Sequence, residues 1–335
     1  MNKNINLLIP IILALFLAGC HQPAGKNQGA ETSISQKPRV AVPEFSPDSA
    51  FAYVKAQLAF GPRVPNTKAH DKCAAWLNEK LTAYAPVIIL QKGKLPAFNG
   101  TMLSFQNFIA SWKPEMNNRI LLCAHWDSRP WADHDPDPAD RRKPVDAAND
   151  GASGVAVLLE TARQLSIKSP SVGVDIILFD VEDYGPPQDQ PVDENADEQW
   201  GLGAQYWSKN PHKQGYSARY GILLDMVGAA NATFLMEGIS LQYAGDIVKS
   251  VWATAGRIGY SSFFLYEQGG YITDDHVPIN RIRNIPTIDL IHLDKNSPTG
   301  FYPGWHTTHD NLDAIDKNTL KAVGQTLLTV IYEEQ

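Results

Sequence analysis

Residues 120–127 read Ile-Leu-Leu-Cys-Ala-His-Trp-Asp, five apolar residues that run directly into polar ones. The same pattern recurs at 176–183, where Ile-Ile-Leu-Phe precedes Asp-Val-Glu-Asp, and at 221–225, where Gly-Ile-Leu-Leu precedes Asp. Strands that are apolar along their whole length are typical of a sheet covered on both faces. Helical patterns alternate with these strands from residue 119 onward. The sequence therefore predicts an α/β fold, a three-layer α/β/α sandwich around a central mixed, mostly parallel sheet.

The remaining segments extend this pattern in both directions. Strands are predicted over 87–90, 102–112, 119–124, 174–179, 220–224, 233–236 and 285–291, and helices over 49–58, 67–84, 154–165, 200–209, 241–257 and 312–332. Two long polar segments, 126–148 and 184–198, are predicted to be loops at the carboxyl ends of strands. Ligands of such sheets bind beyond these ends, and long loops inside compact domains are usually functional.

The composition is that of a folded soluble protein. The chain has 335 residues, of which 44% are hydrophobic and 19% charged, with a formal net charge of −7. These values argue against a disordered or polytopic membrane protein. The acidic balance also argues against a nucleic-acid partner, because binding phosphates requires a basic face.

The first twenty residues predict export. Lys3 precedes an apolar stretch over 7–17 that is too short to span a bilayer, and Leu-Ala-Gly follows directly before Cys20. This pattern resembles a bacterial lipoprotein signal over 1–19 that is cut before a lipid-carrying Cys20; an ordinary cleaved signal is the alternative. We then expect a flexible tether over 20–46, a single catalytic domain over 47–335, and an extracytoplasmic protein anchored by lipid to a membrane, in the periplasm or at the cell surface.

Two further cysteines leave the redox state open. Cys73 lies in a helical pattern and Cys123 in an apolar strand pattern. Export permits a disulfide between them, but two buried free thiols are equally consistent with these positions. Two cysteines cannot build a structural zinc site of the cysteine type.

Histidines and carboxylates gather where the predicted strands end. They are His125, Asp127, Asp150, Asp180, Glu182, Asp183, Asp225, Asp289 and His306. One such residue alone is more typical of a helix cap or a turn. Because carboxylates crowded in one cleft repel each other, several together indicate a divalent cation. A mixed set of histidine and carboxylate ligands suits zinc, and an open coordination position would make the zinc catalytic.

Six motifs carry a resemblance to a known family. They are Phe-Gly-Pro-Arg-Val-Pro at 60–65, Cys-Ala-His-Trp-Asp-Ser at 123–128, Ala-Asn-Asp-Gly-Ala-Ser-Gly at 148–154, Leu-Asp-Met-Val-Gly-Ala at 224–229, Asp-Asp-His-Val-Pro at 274–278 and Trp-His-Thr at 305–307. From about residue 48 to the C-terminus the chain resembles the zinc-dependent glutaminyl cyclases, which share the fold of the zinc aminopeptidases. The motif at 148–154 is common to that whole group, whereas the last three point to the cyclases.

The resemblance implies a role for each matching residue. It implies one Zn²⁺ per chain, bound by Asp150, Asp183 and His306, with Glu182 as the general base and acid. Asp225 would help to hold the amino end of the substrate, and Asp274 would form hydrogen bonds near the catalytic centre. The pocket walls would be Trp305, Phe301 and Ile272. The sequence departs from the family in two places. Asp183 replaces a glutamate, and Asp289 stands where animal cyclases carry a histidine. Because an aspartate can accept a hydrogen bond from a neighbour, Asp289 is still expected to take part in the reaction.

The expected function is cyclisation of the N-terminal glutamine of peptides or proteins to pyroglutamate, with release of ammonia. The alternative is a two-zinc aminopeptidase that uses His125, Asp150, Asp183, Asp225 and His306 as ligands. The number of zinc ions per chain distinguishes these two. A second alternative is a non-catalytic binding module on the same scaffold; such modules typically lose ligands or the base, and here Glu182 and the three ligands are retained.

Overall fold

The structure, a computed structural model, describes residues 40–190 and 196–335. Seven helices and eight strands are described, in chain order α1 Pro47–Leu58, α2 Lys68–Tyr84, β1 Val87–Pro96, β2 Met102–Trp112, β3 Arg119–His125, α3 Ala152–Ile167, β4 Gly173–Phe179, α4 Leu202–Lys209, β5 Gly221–Asp225, β6 Phe234–Met236, α5 Gly238–Arg257, β7 Phe264–Gln268, α6 His276–Pro278, β8 Thr287–Ile291 and α7 Lys317–Glu333. Helix α6 continues into a π-helical turn, Ile279–Arg283.

Six of the strands form one mixed sheet in the order β1-β2-β4-β3-β5-β8. The pairs β1/β2 and β2/β4 are antiparallel, whereas β4/β3, β3/β5 and β5/β8 are parallel. In the parallel part, Leu122 is in register with Ile176 and Ile222, and Ile222 with Ile288. The carboxyl ends of four strands therefore meet at one edge of the sheet.

Helices cover both faces of this sheet. In β3, Ile120, Leu122 and Ala124 belong to a core shared with α1, α2, α3, α5 and α7. Leu121 and Cys123 belong instead to a smaller core with Trp207 of α4. Successive strand residues point to opposite faces, so one apolar strand serves both cores. The predicted three-layer α/β/α sandwich is confirmed.

The two cysteines lie in these two different cores. Cys73 of α2 packs on one face of the sheet and Cys123 of β3 on the other, and both are buried free thiols. Because the sheet separates them, of the two possibilities left open the structure supports free thiols.

The compact unit spans residues 40–335 and thus begins earlier than the predicted boundary at 47. Phe45 is fully buried against Gly324 of α7, and its N–H donates a hydrogen bond to Gln325 Oε1. The end of the predicted tether is therefore part of the core. The predicted signal peptide, Cys20 and the first part of the tether lie outside the described residues. In the described ranges, no helix is both long and apolar enough to cross a bilayer.

Other differences concern short elements. Strand β7 was not predicted, because its apolar run is short and most of its residues are exposed; it pairs with β6 in a separate two-stranded sheet. The last helix begins at Lys317 rather than at residue 312. Asp316 caps it by accepting a hydrogen bond from the Asn318 N–H, and the preceding Leu312–Ala314 forms a separate 3₁₀ turn.

Candidate active site

The carboxyl edge of the sheet collects six of the predicted site residues. His125 ends β3 and Asp225 ends β5, while Glu182 and Asp183 follow β4. Asp150 comes from the loop before α3, and His306 from the loop between β8 and α7. The parallel strands bring these residues together, because each strand ends at the same edge of the sheet. Asp274, in the loop before α6, lines the same cavity.

Asp150, Asp183 and His306 form a group whose ligand atoms lie within 4.8 Å of one another. His306 Nε2 is 3.2 Å from Asp183 Oδ1 and 3.5 Å from Asp150 Oδ2. Ligands placed tetrahedrally at zinc distances of about 2.0–2.1 Å are themselves about 3.3–3.4 Å apart. Asp183 Oδ2 is buried and has no hydrogen-bond partner among the described residues. Spacing, burial and donor types therefore all fit a zinc ion.

A second group shares Asp150 with the first. His125 Nε2 lies 3.0 Å from Asp150 Oδ1 and 3.3 Å from Asp225 Oδ1. His125 Nε2 and Asp225 Oδ1 make no hydrogen bond within the described ranges, so these contacts resemble ligands converging on a common point. The Asp150 carboxylate presents one oxygen to each group. The geometry thus offers two neighbouring cation positions bridged by Asp150.

Two buried carboxylates position this edge, and sequence reasoning gave neither of them a role. Asp127 accepts hydrogen bonds from the N–H groups of Glu182, at 3.1 Å, and Asp183, at 3.2 Å. Asp310 accepts from the N–H groups of Asn149, at 2.8 Å, and Asp150, at 2.9 Å. Each therefore fixes the backbone beneath a ligand. The sequence placed Asp127 among the polar residues at the strand ends without giving it a role, and Asp310 follows the Trp-His-Thr motif by three residues.

A buried arginine completes the support. The Arg129 side chain contacts Asp183 Oδ1 at 3.1 Å and forms a two-bond ion pair with Asp133 at 2.7 and 2.8 Å. Its guanidinium also lies over the Trp200 ring, 4.8 Å from the centroid. Asp183 is one methylene shorter than the family's glutamate, and Arg129 restricts where its carboxylate can lie. Sequence reasoning missed this contact because it depends on the packing of the 126–148 loop.

The backbone is strained next to the site residues. Val181, Met226 and His306 adopt left-handed φ values of 57°, 49° and 54°. Such conformations cost on the order of 1–3 kcal/mol for residues other than glycine and are found preferentially at functional sites. Gly151 has a φ of 98°, and a Cβ there would lie 2.8 Å from the His125 ring. The loop thus needs glycine to bring Asp150 close to His125.

A cavity of about 170 Å³ opens in front of these groups, and we call it the site cavity. All three predicted wall residues, Trp305, Phe301 and Ile272, line it. Trp305 stacks on the His306 ring with a centroid distance of 3.7 Å and contacts Phe301 at 4.5 Å. Trp200, which was not predicted, also lines the cavity. Aromatic rings therefore surround the possible metal position and limit access of water.

Four of the five carboxyl groups that line the cavity have a raised pKa: Glu182, Asp183, Asp225 and Asp274. Burial raises the pKa of Glu182 well above its usual range, an effect that His125 opposes. Burial and the neighbouring Asp225 raise the pKa of Asp274 to about 7. Asp274 Oδ2 and Asp225 Oδ1 have no hydrogen-bond partner in the parts of the chain that the structure describes. The cavity thus offers free acceptor oxygens to a ligand with N–H donors.

Asp289 is not brought to the cavity. It lies in the middle of β8, in register with Leu223, and is buried. Its Oδ2 is 4.0 Å from His276 Nδ1, and burial and Asp274 raise its pKa well above the usual range. The other predicted residues come from segments that lie at or beyond the strand ends. Asp289 lies in the middle of its strand and therefore does not reach the edge of the sheet where the cavity opens.

A mixed sheet with a histidine–carboxylate centre at its carboxyl edge defines a class of metal-dependent hydrolases and transferases. Residues 107–331 match Peptidase family M28, and the chain belongs to that family. The resemblance to glutaminyl cyclases that the motifs indicate is confirmed. The chain is 55% identical to a Bacteroides thetaiotaomicron glutaminyl cyclase bound to N-acetylhistamine, with a TM-score of 0.86, over 88% of this chain and 100% of that one.

Two further relatives show how broad the similarity is. A Zn-dependent exopeptidase from Parabacteroides distasonis is 52% identical, with a TM-score of 0.85, over 87% of this chain and 99% of that one. The glutaminyl-peptide cyclotransferase of Bos taurus is 27% identical over 258 residues. That match covers 69% of this chain and 66% of the bovine protein.

Proposed function

We propose that this protein converts the N-terminal glutamine of peptides and proteins to pyroglutamate and releases ammonia. The observation that carries the proposal is a small, aromatic-walled site cavity with Glu182 beside the Asp150–Asp183–His306 group. Similarity to a bacterial glutaminyl cyclase over 88% of the chain supports it. A cavity of about 170 Å³ suits one side chain and the terminal amine.

One Zn²⁺ per chain, held by Asp150, Asp183 and His306, fits this function. When bound, zinc supplies a Lewis acid that polarises the side-chain amide carbonyl of the substrate. The fit rests on the ligand spacing and on the partnerless Asp183 Oδ2. Arg129 and Asp310 hold two of the ligands in place, so these donors are arranged before any ion arrives.

The side chains of this protein carry the proton transfers. The α-amine nitrogen forms a bond to the side-chain carbonyl carbon, and the bond from that carbon to the amide nitrogen breaks. Glu182 accepts a proton from the amine and returns one to the departing nitrogen, so that ammonia leaves and no water is consumed. Asp225 and Asp274 accept hydrogen bonds from the amine and keep it next to the carbonyl. Such positioning is worth up to about 7–11 kcal/mol of the barrier.

The experiment that tests this function is incubation with a peptide that begins with glutamine, followed by mass spectrometry. We expect loss of ammonia from an otherwise intact peptide. Glu182→Gln should keep bound zinc but lose about 10²–10⁴-fold in turnover, since an amide cannot accept the proton. Glu79→Gln, an exposed glutamate on α2, serves as the matched control. A fully active Glu182→Gln protein would remove Glu182 from the mechanism.

A specific observation favours a second candidate, aminopeptidase activity. The second group, His125, Asp150 and Asp225, has the spacing of another cation site, and one relative is described as a Zn-dependent exopeptidase. In that case the same peptide would lose its first residue as free glutamine. Elemental analysis of the purified protein would then find two zinc ions per chain instead of one.

We also propose that the protein is exported and attached to a membrane through lipid on Cys20. The Leu-Ala-Gly-Cys motif supports this, and the compact unit begins only at Val40. We expect the wild type in the membrane fraction and labelled by a fatty-acid analogue. Cys20→Ser should be unlabelled and released in soluble form. Membrane retention of the unlabelled variant would exclude this anchor.

A further inference from the structure

A second cavity, of about 240 Å³, opens beside the site cavity. Trp200, Thr273 and Asp274 line both cavities, which are therefore neighbours along the Thr273–Asp274 backbone. The site cavity is large enough for one residue only. If the proposed function holds, the residues that follow the N-terminal glutamine leave the site cavity beside this second cavity.

The second cavity combines an apolar wall with a cationic rim. Trp200 and Val277 contribute apolar surface, and Ile282 adds a partly exposed side chain. Lys209 and Arg281 are exposed at the rim. Neither of them forms an ion pair with another described residue, so both charges are available to a ligand. Two acidic residues are described in the lining of this cavity, Glu198 and Asp274, and Asp274 is the one shared with the site cavity.

These cations contrast with their surroundings. The whole chain carries a formal charge of −7, and five carboxyl groups line the neighbouring site cavity. The overall field therefore favours basic peptides. Lys209 and Arg281 oppose this preference locally, because two cations without described partners can pair with acidic side chains of a bound peptide.

The separation between Asp274 and Arg281 indicates which residue of a bound peptide would reach Arg281. Arg281 follows Asp274 by seven residues, along α6 and the π-helical turn. At about 1.5 Å of rise per residue, this separation is about 10 Å. An extended peptide covers that length in about three residues. Counting from the glutamine, a side chain near Arg281 belongs to the third or fourth residue.

We infer that the second cavity is a binding site for the peptide chain that follows the N-terminal glutamine. The second residue of the substrate is apolar and packs against Trp200 and Val277. The third or fourth residue is acidic and pairs with Lys209 and Arg281. The inferred substrate class is thus a glutamine-initiated peptide with an apolar residue and then a carboxylate. This inference rests on the proposed function.

The test compares two peptide amides at low ionic strength, Gln-Leu-Glu-Glu and Gln-Leu-Lys-Lys, by release of ammonia. Because exposed ion pairs contribute little individually, we expect a kcat/KM about fivefold higher for the acidic peptide, mainly through KM. The preference should shrink at 0.5 M salt, which screens exposed charges. Equal values, or a preference for the basic peptide, would overturn the inference.

Charge-changing variants locate the effect. The double variant Lys209→Glu and Arg281→Glu should invert the preference, and the neutral pair Lys209→Gln and Arg281→Gln should abolish it. The control, Lys92→Glu and Lys249→Glu, makes the same change in net charge at exposed positions that line neither cavity. Loss of the preference in this control would also overturn the inference.

A substrate without a peptide extension separates the two proposals. Glutamine amide occupies only the site cavity. If the wild type turns over glutamine amide but treats both peptides alike, the second cavity is not a subsite and the proposed function stands. If the wild type releases no ammonia from any of the three substrates, the proposed function fails and the inference fails with it.

Discussion

Replacement of Asp127 tests whether buried support beneath the ligands controls the site. Asp127 is fully buried; its Oδ1 accepts a hydrogen bond from the Glu182 N–H and lies 3.4 Å from His125 Nδ1, and its Oδ2 accepts from the Asp183 N–H. In Asp127→Asn an NH₂ group faces one of these donors, so one buried N–H loses its partner. In Asp127→Ala both do. Each loss costs about 1–3 kcal/mol.

We therefore expect the free energy of unfolding to fall by about 1–3 kcal/mol for Asp127→Asn and about 2–6 kcal/mol for Asp127→Ala, measured by guanidinium denaturation. Turnover of a glutamine peptide should fall about 10²-fold in Asp127→Asn, because displacement of Glu182 by about 1 Å is enough for such a loss. Asp246→Asn, on the exposed side of α5, should stay within about 0.5 kcal/mol of the wild type. An Asp127→Asn protein with wild-type stability and turnover would refute the reasoning.

Three further predictions follow from the fold and the site. Removal of zinc by a chelator should abolish turnover. It should also lower the free energy of unfolding by about 2.7 kcal/mol relative to protein in free zinc at 100 times the Kd. Full activity without metal would contradict the proposed mechanism. Phe45→Ala should cost about 3–5 kcal/mol in a denaturation assay because Phe45 is fully buried, whereas the exposed Val40→Ala should cost little. Burial would raise the pKa of Glu237, but the His276 ring 3.3 Å away and hydrogen bonds from Ser240 and Ile272 outweigh it and lower that pKa to about 2. The ionised Glu237 therefore contributes about 3 kcal/mol that is present above pH 4.5 and lost as the pH falls towards 2, and Glu237→Gln should flatten this acid limb in urea titrations.

Sequence reasoning predicted the sheet well because its strands are apolar on both faces. Strands such as β3 and β4 serve two cores, and a continuous apolar run is a strong local pattern. The site residues could be predicted for a related reason: parallel strands bring their carboxyl ends to one edge. Six of the seven predicted metal-binding and catalytic residues line or border one cavity.

What could not be predicted depends on contacts between distant segments. Asp310 and Arg129 hold ligands that lie more than fifty residues away in the chain, and no local pattern marks such partners. Asp289, which alignment to a histidine pointed to, lies in the middle of β8 and not at the cavity, and its part in the reaction stays a prediction. Phe45 lies at the end of the predicted tether, and only its packing against α7 shows that it belongs to the core.

The three proposed zinc ligands come from segments as far apart as Asp150 and His306. Proteins whose zinc ligands are close in sequence can use the ion to organise a short peptide. Here, no fragment of the chain shorter than about half its length contains all of these ligands. The ion therefore has no complete binding site until the sheet is assembled. Metal uptake must therefore be a late event in maturation. A truncated or misfolded product would remain empty, and bound zinc would report that the whole polypeptide has reached its final form.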